Sequence, residues 1–326
     1  MKTSFSKNAL LWALIFTVVN SAGALERDDV SWTNGDVTLA GTLYKPDGRG
    51  KHPTFIFLHG SGPDTRKGST YTQYARNLVK KGYAVLLYDK RGAGESTGDW
   101  KSTDYVDLAQ DAVKGIEYLL TRKDVNKKAI GVIGSSEGGW TAPIVENVSP
   151  HVSRMILISA PPMTPAEQGN FEWSLELRAQ GLSESDIAEV MTLERQRDLV
   201  RKTDSGWNEL DEAIEAAKKR PWYEAAGSPG RPDKNHPRYE WLRRNMDYDP
   251  IPSLKRVNVP VLLMYGAKDP LVDAKTSAAI MAQLAKDEGK DFTIYTYPDG
   301  GHNLTANGIT FKQEHWDRIA GWLETH

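Results

Sequence analysis

The sequence contains no cysteine among its 326 residues. This absence excludes disulfide bonds, zinc sites built on thiolates and a cysteine nucleophile. The seven histidines never form a close pair of the H-E-x-x-H type, so we do not expect a zinc site on a single helix. Neither sign of charge is in large excess, because 41 basic residues face 43 acidic ones. The net charge of −2 gives no electrostatic reason to expect nucleic acid or an anionic membrane surface as a partner.

The first 24 residues have the pattern of an export signal. Lys2 and Lys7 lie near an apolar run at Ala9–Val19, and the small residues at 22–24 supply a cleavage signature of the A-x-A type. The run is shorter than the roughly 20 apolar residues that span a bilayer. We therefore predict that residues 1–24 are a signal peptide and that the protein is periplasmic or secreted, with no membrane anchor after cleavage. The alternatives are an uncleaved anchor and a buried first helix.

From residue 30 onward, short apolar runs alternate with longer helical patterns. The predicted strands are Val37–Tyr44, Thr54–Leu58, Ala84–Tyr88, Ala129–Ile133, Met155–Ser159, Val261–Tyr265 and Phe292–Tyr297. The predicted helices between them are Thr70–Lys81, Asp104–Thr121, Thr141–Asn147, Thr276–Lys286 and Phe311–Thr325. The middle five strands are apolar on both faces, which is typical of a parallel sheet covered by helices. The pattern therefore predicts a doubly wound α/β sheet with an antiparallel hairpin at its first strand.

Residues 161–250 interrupt this alternation, because they contain no strand-like run. Ser183 and Asp186 form a capping-box pattern at the start of a helix. Eight aromatic residues fall in the segment, namely Phe171, Trp173, Trp207, Trp222, Tyr223, Tyr239, Trp241 and Tyr248. We predict that residues 161–250 form a helical lid inserted between two parts of the core, 25–160 and 251–326. The alternative is a packed helical subdomain with no role in binding.

A strand that runs into G-x-S-x-G and then into a helix identifies Ser136 as the candidate nucleophile. Gly134 and Gly138 flank the serine at two residues on each side, where the turn is too tight for side chains. Such a turn lifts the serine hydroxyl above the end of the sheet. Ser135 is a competing candidate, but it lacks the flanking glycines.

A serine hydroxyl needs a neighbouring base, and that base needs a carboxylate to hold it. Asp269 follows the predicted strand Val261–Tyr265, and His302 follows the last predicted strand. Their order along the chain, serine then aspartate then histidine, is the one that this kind of turn requires. We expect His302 to take the proton of Ser136 and Asp269 to orient the imidazole.

Two other carboxylates remain open as alternatives. Asp273 could replace Asp269, and Asp299 could orient His302.

The H-G-x-G turn at residues 59–62 predicts donors for an oxyanion. It follows a strand, and its glycines allow backbone N–H groups to approach a substrate oxygen closely. We expect the two donors to be the amides of Ser61 and Glu137, the second of which lies at a helix N-terminus. His59 is interpreted as a structural, hydrogen-bonding residue and not as a base.

These motifs together resemble the α/β-hydrolase superfamily. They are HGSG (59–62), YDKRGAGESTG (88–98), GSSEGG (134–139), YGAKD (265–269) and DGGH (299–302). The chain is most similar to the serine esterase branch near the prolyl-oligopeptidase and dienelactone-hydrolase-like families. The resemblance covers roughly residues 37–160 and 250–322 but not the insertion, and it implies a mostly parallel, eight-stranded sheet into which the predicted helical lid is inserted. Ser135 departs from the pattern, since many relatives carry histidine there, and the segment at 89–96 is interpreted as structural.

The motifs predict an exported serine hydrolase that cleaves carboxylic esters of small to medium acyl chains through an acyl-enzyme. This chemistry requires no metal or organic cofactor. The first alternative is a serine peptidase or amidase, in which Glu137 or an acid of the lid would hold a substrate ammonium group. The second is a non-catalytic binding protein on the same fold, because a fold alone does not fix a function. The sequence does not indicate an oligomeric state.

Overall fold

The computed structural model of the chain describes residues 26–305, 311 and 313–326. The predicted signal peptide, residues 1–24, lies outside the described residues. No helix of the described part is both long enough and apolar enough to cross a bilayer.

A single sheet of eight strands forms the centre of the described structure. The strands are β1 (Glu26–Asn34), β2 (Val37–Lys45), β3 (His52–Leu58), β4 (Ala84–Tyr88), β5 (Val125–Ser135), β6 (Val152–Ile158), β7 (Val261–Gly266) and β8 (Phe292–Tyr297). Their order across the sheet is β1-β2-β4-β3-β5-β6-β7-β8. The β1–β2 and β2–β4 pairs are antiparallel, and all the others are parallel. The predicted mostly parallel sheet is therefore confirmed.

Helices cover both faces of this sheet. They are α1 (Ser69–Lys80), α2 (Tyr105–Thr121), α3 (Gly138–Val148), α4 (Pro165–Ala179), α5 (Glu184–Thr203), α6 (Trp207–Ala217), α7 (Tyr239–Asn245), α8 (Ile251–Arg256), α9 (Ala274–Glu288) and α10 (Gln313–Thr325). A 3₁₀ turn lies at Trp100–Ser102. Helices α1 and α10 pack with one apolar cluster, and α2, α3 and α9 pack with another.

Strand β3 contributes side chains to both apolar clusters. Phe55 and Phe57 belong to the cluster under α1 and α10, whereas Ile56 and Leu58 belong to the opposite one. Successive side chains of a strand point to opposite faces, so a strand buried on both sides must be apolar at every position. The continuous apolar runs of the sequence therefore predicted the central strands correctly.

Strand β1 is absent from the sequence prediction. Its first four residues, Glu26–Asp29, are all charged, so this part of the strand lacks the apolar pattern from which strands are predicted. Val30 and Trp32 then alternate with polar residues and precede an Asn34-Gly35 turn, which is the usual signal of a hairpin. The strand pairs in register with β2 from Glu26–Lys45 to Asn34–Val37.

The chain between β6 and β7 forms the helices α4 to α8. The predicted capping box is confirmed, because the Ser183 hydroxyl accepts from the Asp186 amide and the Asp186 carboxylate accepts from the Ser183 amide. Helices α4, α5 and α6 and the turn after them share a third apolar cluster, separate from the two on the sheet. Members of this cluster include Leu177, Ile187, Val190, Leu210, Trp222 and Tyr223. The inserted helices thus stabilise one another as well as packing on the sheet.

The sheet brings the predicted functional loops to one edge. Strands β3, β5, β6, β7 and β8 are parallel, so the loops that follow them leave the sheet on the same side.

His315 is a fully buried histidine of α10. Its Nε2 lies 2.8 Å from the hydroxyl of Tyr74, and its ring is surrounded by Tyr74, Phe311, Trp316 and Tyr297. Burial lowers the pKa of His315 to about 3, because the apolar surroundings disfavour the charged ring. The folded protein therefore keeps this histidine neutral in mildly acidic solution.

His315 predicts an acid-dependent loss of stability. In the unfolded chain the histidine binds a proton below a pH of about 6.5, whereas in the folded protein it stays neutral down to a pH of about 3. The unfolded state therefore binds more protons in this window, and the free energy of unfolding falls by about 1.4 kcal/mol per pH unit for this group. Urea unfolding between pH 7 and pH 4 should show a shallower decline for His315→Phe than for the wild type. His151→Gln, at an exposed turn, is the control and should leave the slope unchanged. Parallel slopes for all three proteins would contradict the prediction.

Candidate active site

Ser136 lies in a strained turn between β5 and α3. Its φ angle is 53°, a left-handed conformation that costs an L-residue energy. Its amide donates to the carbonyl of Ile158 at 2.9 Å, which ties the turn to β6. A Cβ atom at Gly134 would lie 2.4 Å from the carbonyl oxygen of Gly138, and one at Gly138 would lie 2.3 Å from that of Leu58. Both glycines are therefore required by close backbone contacts, as the sequence spacing indicated.

Ser135 lies beside this turn but has a different backbone setting. It is the last residue of β5 and is in register with Ile158 of β6. Both serines line the same cavity. Only Ser136 of the two has the positive φ that marks the turn.

Asp269 and His302 are brought together from the loops after β7 and β8. The Asp269 Oδ2 atom lies 2.8 Å from Nδ1 of His302. The Oδ1 atom of the same carboxylate accepts from the amides of Leu271 and Val272 at 2.8 and 3.0 Å. The Asp269 side chain is 1% exposed and that of His302 17% exposed. The carboxylate is thus fixed at both oxygens, and the imidazole faces the cavity that Ser136 lines.

The two alternative carboxylates have other partners. Asp273 caps α9, where its carboxylate accepts from the Thr276 amide at 3.0 Å. Asp299 is largely exposed and forms an ion pair with Lys268 at 3.0 Å.

Ser159 is a residue of this site that sequence reasoning missed. It follows β6, is fully buried and has a φ of 46°. Its hydroxyl donates to the carbonyl oxygen of His302 at 2.6 Å, and its amide donates to Met264 of β7. The side chain therefore anchors the backbone of the histidine loop to the sheet. No local motif marks it, because its partner is distant in sequence.

The two predicted oxyanion donors, the amides of Ser61 and Glu137, belong to the H-G-x-G turn and to the start of α3. Ser61 lines the cavity, and Glu137 is the residue that precedes the first turn of α3. Within the part of the chain that the structure describes, neither amide donates a hydrogen bond to another residue. Both amides thus lack an acceptor within the described residues, and the helix dipole favours negative charge near the second; their role as oxyanion donors stays a prediction.

His59 is structural, but it does not hydrogen-bond as we expected. Its ring is buried and packs edge-on against Tyr71 and Tyr88, at centroid distances of 4.8 and 4.9 Å. Among the described residues, neither ring nitrogen has a hydrogen-bond partner. Burial and the nearby charge of Lys90 lower the pKa of His59 to about 3. The ring therefore stays neutral and fills space beneath the H-G-x-G turn.

A cavity of about 570 Å³ lies above Ser136 and His302. The inserted helices form much of its wall, and their role as a lid stays a prediction. The lining residues from the α4–α7 region are Pro165, Ala166, Gln168, Gly169, Asn170, Glu172, Trp173, Glu194, Asp198, Arg201, Arg238, Trp241, Leu242 and Met246. Of the eight aromatic residues noted in the segment, Trp173 and Trp241 line the cavity. Trp222 and Tyr223 lie in the separate helical cluster instead.

The cavity wall carries charges of both signs. Burial raises the pKa of Asp198 to about 6, helped by the neighbouring Glu194 and opposed by Arg201. Burial also raises the pKa of Glu172, which has no ion-pair partner among the described residues. The guanidinium of Arg238 lies 5.1 Å from the ring centre of Trp241. The wall can therefore contact polar as well as apolar parts of a substrate.

The chain is similar in sequence to known hydrolases. The chain matches the family described as X-Pro dipeptidyl-peptidase, S15 family, over residues 34–297. It is 26% identical over 315 residues to Esterase EstD of Thermotoga maritima, which covers 91% of this chain and 68% of that protein.

Comparison with solved structures identifies proteins that share the fold of this chain. An esterase of Pyrococcus furiosus has a TM-score of 0.62 and 20% identity, covering 92% of this chain and 91% of its own. The α/β hydrolase GrgF of a Penicillium species has a TM-score of 0.59 and 19% identity, covering 93% of this chain and 99% of its own. The α/β-hydrolase fold implied by the sequence motifs is therefore confirmed.

The position of Asp269 predicts a large effect of a small change. In Asp269→Asn, the amide favours the wrong imidazole tautomer, so reaction of Ser136 with a fluorophosphonate probe should slow by roughly 10⁴-fold. Probe labelling followed by mass spectrometry measures the rate. Asp273→Asn and Asp299→Asn are matched controls with expected rates close to wild type, and asparagine caps a helix as well as aspartate does. Equal slowing in Asp299→Asn would assign the orienting role to that residue instead.

Proposed function

The chain belongs to the S15 family of X-Pro dipeptidyl-peptidases, and within that family we propose, from the site geometry and the similarity to esterases, that it is a serine esterase. It is a hydrolase with the α/β-hydrolase fold. Our proposal adds that Ser136, His302 and Asp269 form the catalytic triad and that the substrates are carboxylic esters of small to medium acyl chains. The observation that carries it is the hydrogen bond from His302 to the buried Asp269, together with the cavity that His302 and the strained Ser136 both line.

The geometry supports an acyl-enzyme mechanism. With Nδ1 donating to Asp269, the other ring nitrogen of His302 is the basic one and takes the proton of Ser136. The serine oxygen attacks the ester carbonyl carbon, and the amides of Ser61 and Glu137 bind the resulting oxyanion. The imidazolium then gives its proton to the leaving alcohol. A water molecule releases the acyl group by the same steps in reverse.

The cavity supports an ester with a modest acyl chain. Trp140, Trp173, Trp241, Leu242 and Met246 give it apolar surface. Its volume of about 570 Å³ falls in the usual range for small-molecule pockets. Similarity to proteins described as esterases, from Thermotoga maritima and Pyrococcus furiosus, points the same way. The inserted helices would then act as the lid that selects the acyl or leaving group.

A peptidase is the second candidate, and the family description favours it. Such an enzyme needs a carboxylate in the cavity to hold a substrate ammonium group. Glu137 is unsuitable, because its carboxylate is buried against Lys90. Glu172 fits better, since it lines the cavity without an ion-pair partner among the described residues.

Export remains part of the proposal. The basic residues, apolar run and A-x-A site of residues 1–24 support a cleaved signal peptide. The protein would then act in the periplasm or outside the cell.

Ester hydrolysis should depend on Ser136. We expect the mature protein to hydrolyse p-nitrophenyl acetate and butyrate faster than octanoate and dodecanoate, because Glu172, Asp198 and Arg238 interrupt the apolar lining that a long acyl chain would need. Ser136→Ala should lower kcat by a factor on the order of 10⁶. Ser135→Ala is the matched control and should keep most of the activity.

Anilide substrates separate the two candidates. Turnover of X-Pro-p-nitroanilides above that of the esters, lost in Glu172→Gln through a raised KM, would replace the esterase by a peptidase. Failure of fluorophosphonate to label Ser136, together with no turnover of either class, would leave only the binding-protein alternative.

The export proposal predicts a defined N-terminus. Protein recovered from the periplasm or medium of cells that express the full chain should begin at Leu25, because signal peptidase cleaves after the A-x-A site. Intact-mass spectrometry measures this end. Ala24→Arg should leave a longer, unprocessed protein. An N-terminus at Met1 in the wild-type protein would contradict the signal peptide.

A further inference from the structure

We propose that Lys90 is a positioning residue that holds both oxyanion donors in place from behind the site. The inference rests on the proposed function, because it assigns a role to the amides of Ser61 and Glu137. Lys90 belongs to the D-x-R-G-x-G-x-S segment, which the sequence suggested was structural.

Lys90 is a buried cation whose contacts converge on the two oxyanion segments. Its side chain is 5% exposed and that of Glu137 is 2% exposed. The Lys90 ammonium donates to Oε1 of Glu137 at 2.7 Å and also to the carbonyl oxygen of Gly60. One side chain therefore links the H-G-x-G turn to the residue after the nucleophile.

The contact with Gly60 fixes the direction of the first donor. The Gly60 carbonyl and the Ser61 amide belong to one peptide unit, and all peptide bonds of the described residues are trans. In a trans peptide the C=O and N–H point in opposite directions. Because Lys90 draws the carbonyl into the protein interior, the Ser61 N–H points away from it, on the side where Ser61 lines the cavity.

The same turn is held at two further points. The Gly60 amide donates to the hydroxyl of Tyr71 at 3.3 Å, and that hydroxyl donates to Asp64. The Lys90 amide donates to the carbonyl of Asp64 at 3.1 Å. Among the described residues, the Lys90 side chain is nevertheless the one donor to the carbonyl of Gly60.

The contact with Glu137 fixes the second donor. Glu137 has helical backbone angles and directly precedes α3. Its Oε2 atom has no hydrogen-bond partner among the described residues, so Lys90 supplies the ionic contact of this buried carboxylate. Anchoring the side chain restricts the backbone whose N–H is offered to the substrate.

Lys90 acts through these groups and not on the substrate. Neither Lys90 nor Glu137 is among the residues that line the large cavity. A cation bonded to the Gly60 carbonyl also polarises the peptide unit, which strengthens the Ser61 N–H as a donor.

The neighbouring buried ion pairs serve other contacts. Arg66 pairs with Asp89, and Arg91 pairs with Asp111 of α2 at 2.6 Å. Neither pair touches Gly60 or Glu137. Arg91 and Asp111 therefore offer a matched control for the loss of a buried ion pair from the same segment.

The test compares Lys90→Met/Glu137→Gln with Arg91→Met/Asp111→Asn in the mature protein. Removing both members avoids leaving one buried charge without its partner. The substrate is p-nitrophenyl butyrate, and a fluorophosphonate titration counts the competent sites. For Lys90→Met/Glu137→Gln we expect kcat per titrated site to fall by roughly 10²-fold, as for loss of one oxyanion donor, with KM within about threefold of wild type. The control pair should keep its kcat per site, whatever its thermal stability.

A transition-state analogue separates positioning from general destabilisation. The Ki of a butyl trifluoromethyl ketone, whose adduct places an oxyanion between the two amides, should rise in parallel with the loss in kcat. Lys90→Leu/Glu137→Gln, which also removes both charges and the donor to Gly60, serves the same comparison if the first double variant does not fold. Equal kcat per site in the test and control pairs, with an unchanged Ki, would overturn the proposal.

If the esterase proposal is wrong, the experiments give a different result from the one expected if the Lys90 proposal is wrong. A wild-type protein that neither hydrolyses the ester nor reacts with the probe would refute the esterase, not the positioning. A crystal structure of Lys90→Met/Glu137→Gln then decides the matter: a reoriented Gly60–Ser61 peptide supports the proposal, and an unchanged peptide overturns it.

Discussion

The left-handed backbone at Ser136 is the constraint on which the rest of the site depends. The turn must pass so close to β3 and to its own helix that the positions two residues before and after the serine have no room for a Cβ atom. Such strain persists only where the surrounding structure fixes it. Here the central parallel strands and the N-terminus of α3 provide that support, and the hydrogen bond from Ser136 to Ile158 closes the turn against β6. The same strand ends also carry the loops of Asp269, His302 and Ser61.

Much of this arrangement could be predicted from the sequence, because its signals are local. Continuous apolar runs marked the central strands, and the glycine spacing marked the turn at Ser136. Ser159 and Lys90 gave no such signal. Their partners, His302 and Glu137, lie 143 and 47 residues away in the chain, so only the folded sheet reveals the contacts. His59 shows the converse error: a polar residue in a motif was expected to hydrogen-bond, whereas packing between two tyrosines decides its environment.

The inserted helices stabilise themselves largely with one set of residues and line the cavity largely with another. Their own apolar cluster stabilises these helices, so most residues of the wall that faces the site need not be apolar to hold the helices in place. That wall can therefore hold groups that a core would exclude, such as the carboxylates of Glu172 and Asp198 beside Trp173 and Trp241. The sequence predicted a lid here, which stays a prediction, and it could not assign individual aromatic residues to the cavity or to the helical cluster. Both roles use the same residue types at helical spacing.

Burying the Lys90–Glu137 ion pair carries a desolvation penalty, and this penalty is an argument about the role of the pair. Moving two charges out of water carries a penalty of several kcal/mol per ion, and well-packed apolar side chains of similar volume are often at least as stable. Stability alone therefore does not explain the ion pair, because apolar side chains at these two positions would stabilise the fold at least as well. Apolar side chains cannot set the direction of a peptide carbonyl, whereas an ammonium group can bind the Gly60 oxygen and the Glu137 carboxylate at once. In the oxyanion site that we propose, two amides must meet one oxygen atom within a few tenths of an ångström, and such a site needs a directional contact of this kind.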